Sequence, residues 1–91
     1  MTTPDEEGRR RVLNRLRRAH GQLAAVIAAV EAGKPCRDVV TQLAATSKAL
    51  DRAGVALLSG AMRDCVTDPA GAEATSGLTV AEVEKLFMML A

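Results

Sequence analysis

The sequence predicts an all-α chain: a long helical hairpin followed by a short C-terminal helix. Three observations carry that prediction. Apolar residues recur every three or four positions through two long stretches, which is the period of a helix face and not of a strand. No proline interrupts either stretch. Helix-start and helix-stop residues stand at the ends of the periodic runs.

The first element opens at Thr3-Pro4-Asp5-Glu6. Thr3 can cap, Pro4 suits the first helical position and Glu6 completes a capping box. Leu13, Leu16, His20, Leu23, Ile27 and Val30 then follow a heptad seam. Gly33 is a good terminator, so the first helix is expected over about residues 4–32. Gly33-Lys34-Pro35 makes a tight connection, and Pro35 again suits a helix start. The second helix is expected over about 36–66. Cys36, Val40, Leu43, Ser47, Leu50, Gly54, Leu57, Ala61 and Cys65 lie on one slowly drifting stripe of it. Gly54 and Gly60 weaken this helix by up to ~1 kcal/mol each relative to alanine. Asp68-Pro69-Ala70-Gly71 reads as a breaker, with a loop to Gly77. Thr79-Val80-Ala81-Glu82 is a second capping box. It precedes Val83, Leu86, Phe87 and Leu90 on a third, short amphipathic helix over about 80–90.

Residues 1–91 make one domain at most. A chain this short buries only about 60–65% of its unfolded surface. Phe87 is its single aromatic residue, so Ala, Leu and Val must fill the core. Oligomerisation is the natural remedy for so thin a core. No run approaches the ~18 apolar residues of a membrane span. The N-terminus lacks the basic start and apolar stretch of a signal peptide, so a cytoplasmic protein with no membrane partner is expected. Two cysteines in that compartment argue against a structural disulfide and leave redox sensing, metal ligation or plain burial.

The net charge is +1, yet Arg9, Arg10, Arg11, Arg15, Arg17 and Arg18 fall within ten residues. Such a cluster is either a phosphate-binding patch or a solvated helix face. Folding the two long helices about residue 34 brings Arg15 level with Arg52, beside Asp51. The resulting basic surface has no groove-reading helix. Its contacts would go mostly to phosphate and depend strongly on salt, with sequence read partly through shape.

Cys36 and Cys65 are 29 residues apart. On one continuous helix that is about 43 Å at 1.5 Å per residue, so they cannot meet within a chain. They can meet if two copies of the second helix pack antiparallel about a dyad near residues 50–51. Two hairpins then form an antiparallel four-helix-bundle dimer. The alternative is that each cysteine is a small buried hydrophobe. No candidate base, oxyanion-hole loop or glycine-rich turn accompanies either thiol, which argues against an enzyme. His20, Met62, Met88 and Met89 are expected to pack, with His20 partly buried, and not to bind metal.

The run Leu13-Asn14-Arg15-Leu16-Arg17-Arg18-Ala19-His20-Gly21-Gln22-Leu23 resembles the first-helix signature of the CsoR/RcnR family of bacterial repressors. So does Cys36 through Asp51-Arg52-Ala53, with Val39-Val40-Thr41-Gln42-Leu43-Ala44-Ala45. The likeness covers roughly residues 9–66. It implies helical hairpins that pair antiparallel and assemble as a dimer of dimers. Such proteins hold double-stranded operator DNA and release it when an inducer reaches the intersubunit cysteine site.

Carried over by position, Cys36 and Cys65 match the family's sensor cysteines. Arg15 and Arg52 match its operator-binding residues, flanked here by Arg9, Arg10, Arg11, Arg17 and Arg18. The family's copper sensors have a histidine four residues before the second cysteine, where this chain has Ala61. Their frequent aromatic residue before the first cysteine is Pro35 here. Nickel and cobalt sensors use several histidines, and this chain has only His20.

The two-thiol, histidine-free pattern resembles the persulfide-sensing branch, with no resident cofactor. Cys36, in the first turn of its helix beside Arg37, would attack a persulfide's outer sulfur. Cys65 of the neighbouring subunit would resolve it to a di-, tri- or tetrasulfide bridge. The alternative is a copper(I)-sensing repressor that holds the metal between the same two thiolates.

Overall fold

The computed structural model describes residues 4–91 and contains four helices, with no strand among the described residues. The long hairpin consists of α1 (Pro4–Glu31) and α2 (Cys36–Thr67). Its turn is a Schellman motif. Gly33 takes a left-handed φ of 67°, its N–H donates to the Val30 carbonyl at 3.1 Å, and the Lys34 N–H donates to the Ala29 carbonyl at 3.0 Å. Pro35 then stands at the N-cap of α2. A Gly33→Ala substitution forces a Cβ into that left-handed backbone. It is expected to destabilise the chain by about 1 kcal/mol, read as a lower urea midpoint with an unchanged slope. The capping box expected on Thr3 lies outside the described residues.

The segment expected as a loop is a helix. α3 (Pro69–Ser76) is capped by Asp68, whose side chain accepts from the Gly71 N–H at 3.1 Å, and ends at Gly77 with φ 71°. Asp-Pro breaks one helix and begins the next with the same chemistry, because the cap needs a side-chain acceptor and the first helical position needs no N–H. Among the described residues the chain therefore has four helices where the sequence predicts three. α4 (Val80–Leu90) keeps the predicted start: the Thr79 hydroxyl accepts from the Glu82 N–H at 3.3 Å.

The helices form a flat, elongated body with principal extents of 52 × 33 × 14 Å. α2 runs down the middle, with α1 on one flank and α3 and α4 on its C-terminal half; neither short helix packs against α1. So flat a body shelters little apolar surface, and the burial pattern shows the result. The hairpin face of α1 is Ala19, Val26 and Ala29, opposed on α2 by Thr46 and Ala53. Thr46 is buried without penalty because its hydroxyl donates to the Gln42 carbonyl of its own helix at 2.9 Å.

Small residues thus close the hairpin, and the large aliphatic residues point away from it. Leu13, Leu16, Leu23, Ile27 and Val30 of α1, with Val40, Leu43, Leu50 and Leu57 of α2, are all exposed. His20, expected to be partly buried on that seam, is exposed with it. The second core is separate. Val83 of α4, 0% exposed, joins Leu58, Cys65 and Ala72 beneath Leu78, Leu86 and Phe87.

Candidate nucleic-acid interface and thiol pair

Arg15 and Arg18 sit three residues apart on α1, and Lys48 and Arg52 four apart on α2. Each pair therefore occupies one face of its helix. The hairpin turns these faces toward a common cleft of about 320 Å³, lined by Arg15, Arg18, Gln22, Ala45, Lys48, Ala49 and Arg52. Ala45 and Ala49 carry nothing beyond Cβ, so the space between the cationic side chains stays open. Four cations and no carboxylate line the cleft among the described residues. The arrangement attracts oxyanions: guanidinium groups offer forked donors that match phosphate oxygens.

The structure therefore brings together Arg15, Arg18 and Arg52. Arg9, Arg10, Arg11 and Arg17 are exposed on α1 outside the cleft. Two further residues belong to it, Lys48 and Gln22. Lys48 stands one helical turn before Arg52, so helix spacing alone could have found it. Gln22 lies inside the motif that carries the family resemblance. Its Oε1 is buried and has no hydrogen-bond partner, an acceptor set among cations.

The thiols are not brought together within the chain. Both lie on α2, which is unbroken from Cys36 to Thr67, so the separation of about 43 Å stands. Their surroundings differ sharply. Cys36, in the first turn, is exposed; Cys65, near the other end, is buried at 3%. The Cys65 Sγ–H donates to the Leu78 carbonyl at 3.4 Å. A hollow of about 100 Å³ beside Cys65 is bordered by Pro69, Leu78 and Val80. Met62 packs on the Cys65 core, as expected, while Met88 and Met89 are exposed.

A family of metal-sensitive transcriptional repressors matches residues 8–90, and the chain belongs to that family, the one to which the first-helix motif points. The family is one of transcriptional repressors. The chain is also 49% identical to the uncharacterized protein YrkD of Bacillus subtilis (strain 168) over 39 residues. That stretch is 43% of this chain and 62% of YrkD, so under two thirds of the relative is covered. No solved structure matches.

No group of three His, Cys, Asp or Glu that could hold an ion occurs among the described residues. The two thiols lie at opposite ends of one helix, and Ala61 offers no ligand between them. No helix is long and apolar enough to cross a membrane, among the described residues.

Proposed function

We propose that the protein is an operator-binding repressor that acts as an antiparallel pair, itself doubled into a tetramer, in the cytoplasm. Its inducer is a persulfide that links Cys36 to Cys65 of the partner subunit. The observation that carries the DNA-binding half is the carboxylate-free cleft that gathers Arg15, Arg18, Lys48 and Arg52. DNA phosphates supply the anions, with Arg9, Arg10, Arg11 and Arg17 extending the basic face along α1. Pairing is supported by the exposed aliphatic stripes on a body only 14 Å thick. A second copy that covers them makes the missing face of a four-helix bundle.

The sensing half rests on two thiols without a third ligand. The Cys36 thiolate attacks the outer sulfur of a persulfide RSSH; the S–S bond breaks and RSH leaves. Cys36 now carries S–SH. The Cys65 thiolate of the partner subunit attacks the inner sulfur and expels hydrosulfide, leaving a disulfide and, after protonation, H₂S. The two thiols are oxidised and the two sulfurs of the persulfide are reduced. If both cysteines are persulfidated first, loss of one H₂S leaves a trisulfide. Either bridge fixes the relative position of two α2 rods. Arg52 rides on those rods, so the spacing of the arginine clusters changes against a duplex whose phosphate spacing is set.

Gel shifts on the promoter DNA test the proposal. Glutathione persulfide is expected to release the wild-type protein and to yield covalent dimers, some with added sulfur by intact mass. Cys36→Ala and Cys65→Ala are expected to stay bound throughout. Release by copper(I) alone, with unmodified chains and no response to persulfide, would overturn the sensing half in favour of a two-thiolate copper site.

A further inference from the structure

The sequence stripe on α2 is treated unequally by the fold. Its first half, with Val40, Leu43 and Leu50, is open to solvent, as is Leu57. Its second half is covered by the chain's own arm, α3 and α4. Leu90 lies on Gly54, where an added Cβ would come within 2.8 Å of its Cδ1. Ala61 and Met62 pack against the arm's core, and Cys65, 3% exposed, lies in the same core as Val83 with its thiol on the Leu78 carbonyl. In an antiparallel pair with Cys36 opposite Cys65, Val40 falls opposite Ala61 and Ser47 opposite Gly54. The arm occupies the ground that the Cys36 end of the other α2 would need.

We infer that the α3–α4 arm is a displaceable cover that holds the place of the partner's Cys36-bearing end, so that arm docking sets the reactivity of Cys65. This rests on the reading of the two thiols as an intersubunit pair. With the arm docked, Cys36 is free to react and Cys65 is closed to it. With the arm swung aside, the thiol loses its carbonyl partner and gains an open face. The swing has its hinges at two breaks in the helical backbone, Asp68 (φ −147°, ψ 78°) and Gly77 (φ 71°). The arm's far end connects the two sites. Leu90 rests on Gly54, two residues from Arg52, so the cover of the thiol also braces the arginine-bearing middle of α2.

The test uses the full chain with one thiol at a time. Cys36→Ser leaves only Cys65, and Cys65→Ser leaves only Cys36. Alkylation by iodoacetamide is followed by intact mass under native conditions. Cys65 is expected to react at least about tenfold more slowly than Cys36, because a buried thiol reacts only through opening. Val83→Ala and, more mildly, Leu90→Ala are expected to raise the Cys65 rate severalfold and to leave the Cys36 rate unchanged. Leu90 stands at the rim, so its truncation tests the cover where Val83→Ala unfolds the arm's core, and far-ultraviolet circular dichroism separates the two. Equal rates for the two thiols would overturn the inference, as would a Cys65 rate unmoved by both truncations. The assay contains neither persulfide nor DNA. Slow, variant-sensitive alkylation with a persulfide-insensitive gel shift would sink the sensing reading and leave the cover standing.

Discussion

Arg52→Ala is expected to weaken operator binding a hundredfold or more while leaving the oligomer intact. Hydrogen bonds to charged groups contribute roughly 1.5–3 kcal/mol each. A pair loses two such contacts at once, so the expected loss is about 3–6 kcal/mol, or two to four powers of ten in affinity. The salt dependence carries the sharper signature: each lost phosphate contact removes about one from the slope of log K against log salt, so about two for a pair. Fluorescence anisotropy with labelled promoter DNA at several salt concentrations measures both. Arg17→Ala is the comparison, since Arg17 is exposed on α1 outside the cleft, and is expected to lose less than tenfold. Equal losses for the two variants would move the interface from the cleft to the outer face of α1.

Leu50→Glu is expected to convert the oligomer to monomers. Leu50 is exposed in the protomer and lies beside the proposed dyad, so one substitution places two carboxylates against each other across the axis. Each copy loses about 1.5–3 kcal/mol of leucine burial, and each buried carboxylate adds a desolvation cost of several kcal/mol. Together these exceed what a micromolar pair can absorb. Light scattering coupled to size exclusion reads the mass directly. A variant that keeps the wild-type mass would show that this stripe is not where copies meet.

The long elements were legible because their signals agree: helical spacing, proline at the starts and glycine at the hairpin stop. The α1, α2 and α4 bounds follow from them within a residue. α3 was not, since Asp68-Pro69 reads as an ending while serving as a beginning. Missing α3 also hid the cover on Cys65. The direction of the faces was harder to read. Leu13, Leu16 and Leu23 make the conspicuous period, yet Ala19, Val26 and Ala29 close the hairpin. Alanine fills so many positions here that it carries no contrast, and a pattern of sizes cannot say which of two adjacent faces meets its own chain. The cationic cleft was half visible: counting residues from the turn placed Arg15 level with Arg52. Lys48 was within reach of helix spacing from Arg52, whereas Gln22 gave no signal of its own until the helix faces were fixed in space.

In the proposed pair, the uncovered aliphatic residues tie folding to encounter. A hairpin held mostly by methyl groups would finish its interior on meeting a copy. Its melting point should therefore climb with total protein. For the proposed oligomeric repressor the same law would make promoter silencing steeper than linear in gene dosage: halving expression would thin the supply of complete particles by more than half.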